Sequence, residues 1–414
     1  MRILISDHHH SANRGDHSIV EGMLNSLSKY FPGSSFSILS DFPEHLSFML
    51  NGVLVKKQYF SYFNWLNIRI EVAMVYFLIG AWFFRRGLSL PFFRNTITEP
   101  YLEADILISK GGSFLSDYYV PGIVGRLFWM YFMKVLGKPV FIYAQSIGPF
   151  HRWIYRLMAR YVFNKLDIIT LRDEISKDII YSLGVHRPFV YVTADAAWNI
   201  DATVNNSQLW ENRLEPLPNF NKERFNVSIS VRRWQYNKDQ GNYIRPIAEI
   251  ADWLIEKKNA QVFFISTCTG FGGYHTDDRV VAYEVVNQMK YKNDVRVLCN
   301  EYAPQEIIHF YSQMSFHIGT RMHSNILALI SQTPVVAIAY EFKTHGMMKF
   351  FALEHYVIDV DDVSGKALKE KIEDLLKEKN NVQNKIIQKL PCIRKKSEKS
   401  AKIIYDYLRE KGIL

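Results

Sequence analysis

Cysteine is scarce in this chain of 414 residues. The three cysteines, Cys268, Cys299 and Cys392, lie far apart, so their spacing supports neither a disulfide framework nor a paired-cysteine zinc site. We therefore expect a reducing compartment. Glycine and proline are also few, at 21 and 14 residues, and we find no internal repeat, which excludes collagen-like and low-complexity proteins.

The sequence also lacks an apolar run long enough to cross a bilayer. Its longest run, residues 72–84, has thirteen residues, whereas a spanning helix needs about twenty. At the N-terminus, the apolar residues stop at His8, too soon for the apolar core of a signal peptide. We expect a cytoplasmic protein. The 72–84 run, followed by Arg85 and Arg86, fits either a buried core helix or an interfacial helix at the inner face of the cell membrane.

Positive charge is concentrated at the C-terminal end. The net charge is +9, from 50 Lys and Arg against 41 Asp and Glu, and residues 366–414 contribute fourteen of the former and seven of the latter. The preceding 365 residues are therefore nearly neutral, which argues against an extended groove for nucleic acid. Residues 381–414 are predicted to form a basic helical tail, either solvated or near an anionic surface.

Short β-branched runs alternate with helical patterns, as is typical of parallel sheets covered by helices. The pattern predicts an α/β protein with two Rossmann-like, doubly wound lobes facing a cleft, over residues 1–205 and 206–380. The linker is placed in 201–224, where periodicity lapses. Strands are predicted over 2–6, 36–39, 105–109, 140–144, 168–171 and 189–192, and then over 226–231, 262–265, 295–298, 316–318 and 335–339.

Open α/β sheets bind ligands at the carboxyl ends of their strands, and Asp16 follows the first predicted strand. It ends the segment Asn13-Arg14-Gly15-Asp16, just before a helical pattern. Its carboxylate could cap the helix or lie at the cleft mouth as a general base. The nearby triplet His8-His9-His10 is a poor metal site, because adjacent residues of an extended segment point to opposite faces.

Three further strand ends in the first lobe carry polar groups. Gly111-Gly112-Ser113 would let backbone N–H groups approach an anion or a sugar. Gln145-Ser146 opens a polar turn after the next strand. Arg172 ends the strand after that and suits bidentate capture of phosphate or carboxylate, although it could instead pair with Asp173 or Glu174.

The densest group of candidates lies in the second lobe. A predicted strand runs into a helix that begins near Arg321 and His323, where an anion would gain from the helix N-terminus and the guanidinium together. The next strand ends at Tyr340 and brings Lys343 to the same edge of the sheet. This edge therefore combines two cations and an imidazole.

Taken in order, these segments resemble the polysaccharide pyruvyl transferase family. The resemblance extends from residue 1 to about residue 350, and it implies a fold like that of the two-lobed GT-B glycosyltransferases. It also implies transfer of the enolpyruvyl group of phosphoenolpyruvate to a sugar diol as a cyclic ketal, in capsular, exopolysaccharide or cell-wall polysaccharide biosynthesis. The segments that carry it are Asn13-Arg-Gly-Asp16, Gly111-Gly112, Gln145-Ser-Ile-Gly-Pro149, Leu171-Arg-Asp173, Ala194-Asp195, Gly319-Thr-Arg-Met-His323 and Tyr340-Glu-Phe-Lys343.

The resemblance also assigns roles to residues. Phosphoenolpyruvate is strongly anionic, so Arg172, Arg321 and Lys343 are expected to bind it, while His323 and Asp16 are expected to act as acid and base or in the reverse roles. The first lobe is expected to hold the acceptor and the second the donor. The acceptor is expected to be a lipid-carrier-linked oligosaccharide, and neither metal nor cofactor is expected. Candidate residues lining the cleft are Asn13, Gly111, Gly112, Gln145 and Ser146.

Two other functions are compatible with the sequence. A GT-B glycosyltransferase that uses a nucleotide-activated sugar would have the same predicted fold. A non-catalytic basic protein that binds nucleic acid or an anionic surface would explain the net charge, although the location of that charge argues against it.

Overall fold

The computed structural model describes residues 1–50, 53–60, 68–119, 122–202, 220–221, 223–233, 241–270 and 276–414. These residues group into two compact units. The first consists of Met1–Ser11, Ile19–Asn199 and Lys395–Leu414, and the second of Ala12–Ser18 and Ile200–Arg394. Each unit contains a parallel sheet with helices. The predicted α/β fold with two Rossmann-like units is confirmed.

The first unit is built on a parallel sheet with the strand order β3-β2-β1-β4-β6-β7-β8, and β5 pairs with β6. Every residue of the central strand β6 is buried, which is typical of a parallel strand covered on both faces. The strands are β1 (Arg2–His8), β2 (Ser35–Ser40), β3 (Leu54–Lys57), β4 (Ile106–Ser109), β5 (Gly112–Leu115), β6 (Val140–Ile147), β7 (Ile168–Leu171) and β8 (Phe189–Val192).

Helices connect these strands. α1 begins in the segment assigned to the second unit and continues into the first. The helices in this part of the chain are α1 (Arg14–Tyr30), α2 (Pro43–Met49), α3 (Ile68–Phe84), α4 (Glu99–Glu103), α5 (Gly122–Val135), α6 (Trp153–Phe163) and α7 (Glu174–Ser182).

The second unit has a parallel sheet with the strand order β11-β10-β9-β12-β13-β14. Its strands are β9 (Phe225–Ser230), β10 (Ala260–Ile265), β11 (Val295–Leu298), β12 (Phe316–Gly319), β13 (Val335–Ala339) and β14 (Val357–Asp359). The remaining helices are α8 (Gly241–Lys258), α9 (Asp278–Gln288), α10 (Pro304–Ser312), α11 (Met322–Ile330), α12 (Phe342–Phe350), α13 (Gly365–Lys377) and α14 (Lys379–Glu410).

Each predicted strand overlaps an observed one, but the sequence did not predict β3, β5 or β14. These three strands are short: β3 ends in two lysines, β5 begins with glycine, and β14 has only three residues. The predicted lobe boundary at 205/206 and most of the predicted linker lie outside the described residues.

The C-terminal segment differs from the predicted tail. Residues 395–414 belong to the first unit, where Ile404 and Leu408 are fully buried. The Tyr407 hydroxyl donates a hydrogen bond to Asp167 Oδ1 at 3.0 Å. The apolar face of this helix therefore packs against the protein's own chain, and neither a solvated tail nor a surface-bound one describes it.

The apolar run 72–84 forms most of α3 and has two different faces. On one face Phe77 and Ala81 are buried, and the Phe77 ring stacks on Trp129. The opposite face carries Val72 and Trp82, which are 63% and 48% exposed. One face of this helix therefore packs in the core, and the opposite face is exposed. In the part of the chain that the structure describes, no helix combines the length and apolar composition of a membrane span.

Candidate active site

The segment Ala12–Ser18 is fixed within the second unit by backbone and side-chain contacts. The Arg14 N–H donates to the Thr267 carbonyl at 2.8 Å, and Asn13 forms an isolated antiparallel bridge with Cys268. The Arg14 side chain is almost fully buried and forms an ion pair with Glu301. These contacts hold the start of α1 in a defined position.

Asp16 is not the N-cap of α1. The helix begins at Arg14, and the Asn13 Oδ1 atom accepts hydrogen bonds from the N–H groups of Gly15 and Asp16 at 3.1 and 3.3 Å. The N-cap interpretation of Asp16 is therefore wrong, because Asn13 already satisfies these donors. The Asp16 carboxylate lies in the first helical turn and is partly exposed.

Gly15 allows the start of α1 to approach His323 closely. A Cβ atom on Gly15 would lie 2.4 Å from His323 Nδ1 and 2.9 Å from His323 Cβ. A residue with a side chain would therefore displace the imidazole. His323 lies in the first turn of α11, after the end of β12, so the structure brings the Asp16-bearing segment and the predicted histidine together within one unit.

Arg321 is held by a buried carboxylate. Its Nε and Nη2 atoms donate to the two carboxylate oxygens of Asp278 at 2.6 and 2.7 Å. Burial opposes charge on both partners and raises the pKa of Asp278, but Asp278 holds the pKa of Arg321 well above its ordinary value. The guanidinium is therefore charged and fixed in orientation, which suits recognition of an anion.

Lys343 lies in the first turn of α12, just after β13. Its Nζ atom is 3.2 Å from Glu341 Oε2, and its side chain is 15% exposed. The second unit thus carries four predicted site residues at the starts of three helices: Asp16, Arg321, His323 and Lys343.

Arg172 is part of a hydrogen-bonded network in the first unit. Its Nε donates to Ser146 Oγ at 2.8 Å, and the Ser146 hydroxyl donates to Asp173 Oδ2 at 2.5 Å. Its Nη1 forms an ion pair with Asp195, and both charged side chains are only 6% exposed. Asp173 in turn caps α7 by accepting from the Ser176 N–H. The network joins three of the segments singled out in the sequence.

Gly111, Gly112 and Gln145 are buried near one another in the first unit. A Cβ atom on Gly112 would lie 3.4 Å from Gln145 Oε1. The Gln145 side chain is fully buried, and within the described residues its amide oxygen and nitrogen have no hydrogen-bond partner. That these residues and Asn13 line a substrate site stays a prediction.

The two carboxylates that anchor Arg172 and Arg321 have no local sequence signal. Asp278 precedes Arg321 by 43 residues and follows no predicted strand. Asp195 lies in one of the segments that resemble the family, but its position in the sequence indicates no role. A buried carboxylate beside each arginine could be inferred only from the general cost of burying an unpaired charge.

Comparison with known proteins identifies the family. A sequence model of the polysaccharide pyruvyl transferase family matches residues 13–341. The chain belongs to the polysaccharide pyruvyl transferase family. The match includes Asp16, Arg172, Arg321 and His323, whereas Lys343 lies two residues beyond it. The protein is therefore a transferase of this family.

The chain also resembles an individual relative and solved structures. The chain is 27% identical to the amylovoran biosynthesis protein AmsJ of Erwinia amylovora over 93% of this chain and 94% of AmsJ. Its fold is similar to UDP-GlcNAc 2-epimerase from Neisseria meningitidis, with a TM-score of 0.61 and 12% identity over 99% and 100% of the two chains. A glycosyltransferase from Rickettsia africae gives a TM-score of 0.58 and 12% identity over 100% and 97%. At such low identity the two structures show the fold alone.

Proposed function

We propose that this protein transfers the enolpyruvyl group of phosphoenolpyruvate to two hydroxyls of a sugar, forming a cyclic ketal. The observation that carries the proposal is the close packing of Gly15 against His323, which places the Asp16-bearing helix start beside an imidazole in the unit that also holds Arg321. Family membership supports the reaction class. The AmsJ relative supports a role in exopolysaccharide biosynthesis.

The donor is bound by fixed cations in this proposal. Phosphoenolpyruvate carries a carboxylate and a phosphate, and in the second unit Arg321 and Lys343 supply positive charge. Arg321 is held by Asp278, so its orientation is set before the donor arrives. Such preorganised charge stabilises an anionic substrate without reorganisation during the reaction. Arg172, which Asp195 holds in the first unit, stays a predicted donor-binding residue.

The chemistry requires proton transfer in two places. Protonation of the donor's methylene carbon by His323 gives a methyl group and an oxocarbenium-like centre at C2. A sugar hydroxyl adds to C2 and loses its proton to Asp16; the C–O bond to phosphate then breaks, releasing inorganic phosphate. A second hydroxyl adds to C2 and loses its proton to His323, which closes the ketal, while the proton held by Asp16 passes to the released phosphate. No metal or cofactor is needed in this scheme.

The roles of His323 and Asp16 can be separated by isotope exchange. If His323 protonates the methylene carbon, Asp16→Asn retains that step, and donor recovered after incubation in deuterated water gains deuterium. His323→Ala then gives no exchange. The opposite pattern would assign the acid to Asp16.

We propose a lipid-carrier-linked oligosaccharide at the cytoplasmic face of the membrane as the acceptor. Mass spectrometry of candidate lipid-linked oligosaccharides, incubated with enzyme and phosphoenolpyruvate, tests the reaction directly. The expected result is the gain of one pyruvyl ketal. A thermal-shift measurement tests the donor, because a ligand of the native state raises apparent stability. Stabilisation by nucleotide sugars but not by phosphoenolpyruvate would indicate a glycosyltransferase instead.

A further inference from the structure

Helix α6 presents an exposed surface that is both apolar and cationic. Tyr155 and Ala159 face the core, while Trp153 and Leu157 are 70% and 53% exposed. Residues 150–166 contain four Lys and Arg but neither Asp nor Glu. The exposed side chains of this surface are Arg152, Trp153, Ile154, Arg156, Leu157, Arg160 and Tyr161.

Helix α3 carries a second exposed apolar stripe in the same unit. Its residues recur at helical spacing, as expected for one face of a helix. At the end of the stripe, the Arg86 guanidinium lies 3.6 Å from the centroid of the Trp82 ring, and Arg85 is also exposed. The stripe consists of Val72, Val75, Ile79 and Trp82.

The two helices belong to one layer. Both α3 and α6 pack against α5. The connections β3 to β4, β4 to β6 and β6 to β7 all run in the same direction along the sheet, and right-handed crossovers place their helices on the same face. The exposed sides of α3 and α6 therefore form the outer surface of a single helix layer, which we call the α3–α6 surface.

We propose that the α3–α6 surface docks on an anionic lipid bilayer. Exposed Trp and Tyr side chains suit the boundary between headgroups and acyl chains, and exposed arginines attract anionic headgroups. Over the residues that the structure describes, neither helix combines the length and apolar composition of a membrane span, so the proposed contact is peripheral.

Charge argues against a second copy of the chain as the partner. A twofold interface would use the same surface on both copies, so it would bring two sets of α6 arginines into one interface without any acidic residue in 150–166 to compensate. An anionic bilayer supplies the missing negative charge. The first turn of α6 also follows the Gln145–Pro149 segment, so docking would bring that segment close to the lipid.

Vesicle sedimentation of the full chain tests the proposal without requiring any substrate. We expect the protein to pellet with phosphatidylcholine vesicles containing about one third phosphatidylglycerol, and much less with phosphatidylcholine alone or at high salt. The triple variant Arg152→Gln, Arg156→Gln, Arg160→Gln should lower the partition coefficient about a hundredfold. Trp153→Ser with Leu157→Ser should also weaken binding, and because both residues are exposed this variant should fold.

A matched control removes the same charge elsewhere. Lys366, Lys369 and Lys377 are exposed on α13, and their replacement by Gln should leave vesicle binding unchanged. If the control and the α6 variant lost vesicle binding equally, net charge alone would explain the binding, and the proposal would be overturned. Wild-type protein that stays in the supernatant would also overturn it. So would lipid-free self-association abolished by Trp153→Ser with Leu157→Ser, because a second copy would then cover this surface.

Discussion

Gly15 illustrates how one missing side chain positions another residue. Replacing it with alanine would place a methyl group 2.4 Å from His323 Nδ1, so the imidazole must move. We expect Gly15→Ala to lower turnover about a hundredfold or more, because small displacements at a reacting centre are costly. Steady-state kinetics with phosphoenolpyruvate measures this.

Gly346→Ala is a matched control for that substitution. Gly346 lies in α12, in the same unit, and a Cβ atom there would meet nothing within 4 Å. The Gly346→Ala variant should retain wild-type turnover. If Gly15→Ala were equally active, the contact with His323 would have no role in the reaction.

The sequence left two interpretations of Asp16 open, helix cap and general base. In the structure Asn13 is the cap, and the role of general base stays a prediction for Asp16. Asp16→Asn should keep the free energy of unfolding within about 0.5 kcal/mol of wild type, because Asn13 is the cap. It should lower turnover by about 10² to 10⁴, as expected for a general base. Asn13→Ala should instead lose about 1 kcal/mol of stability. Chemical denaturation and kinetics on both variants distinguish the roles, and a fully active Asp16→Asn enzyme would remove Asp16 from the mechanism.

The sequence indicated candidate site residues at strand ends but not how their side chains are held. Arg172 and Arg321 could be chosen because each follows a predicted strand, a local pattern. Their partners Asp195 and Asp278 are distant in sequence, and only the packed sheet brings them close. The error at Asp16 has a similar cause, since a shift of three residues in a helix start changes which side chain becomes the cap.

At the level of the elements, Asp278 at the start of α9 forms an ion pair with Arg321, which directly precedes α11. Asp278→Asn leaves Arg321 buried without its counterion, which should cost about 3 to 5 kcal/mol. We expect phosphoenolpyruvate to stabilise this variant more than wild type, because an anionic ligand compensates the unpaired charge of Arg321. Thermal unfolding with and without the donor measures both effects.

The neighbouring aspartate provides the control for Asp278→Asn. Asp277 caps α9 and pairs with Arg279 near the surface, and asparagine caps equally well. Asp277→Asn should therefore lose little stability and show the wild-type response to the donor. Equal donor responses in all three proteins would place Arg321 outside the donor site.

The contact between α1 and α14 should make stability depend on acid pH. Burial opposes ionisation of Glu398, but hydrogen bonds from Lys29 and Tyr30 outweigh it and lower the pKa of Glu398 below its ordinary value. A carboxyl with a lowered pKa in the folded state contributes stability at neutral pH and loses it as the pH falls through that pKa. Glu398→Gln should therefore be less stable than wild type near pH 7, with the difference shrinking towards about pH 3. Urea unfolding across this range measures it, and a constant difference would contradict the assignment.

At the scale of the whole molecule, each unit is assembled from discontinuous parts of the chain. Residues 12–18 belong to the second unit, although residues on both sides of them belong to the first, and residues 395–414 return to the first. Composition and periodicity report local structure and contain no information on which unit a helix joins. The basic C-terminal segment therefore looked like an appendage in the sequence.

Two isoleucines on α14 test whether its C-terminal part belongs to the core of the first unit. Ile404 is fully buried, whereas Ile387, on the same helix, is 44% exposed. Ile404→Ala should lower the free energy of unfolding by about 2 to 5 kcal/mol, because it removes buried methyl groups and leaves a cavity. Ile387→Ala should change it by about 0.5 kcal/mol or less. Both substitutions change side-chain size and helix propensity equally, so urea denaturation of the two variants compares the effect of burial. A large loss of unfolding free energy for Ile404→Ala alone makes the segment part of the first unit's core. Small and equal losses for the two variants would mean that the segment is the solvated tail that its charge suggested.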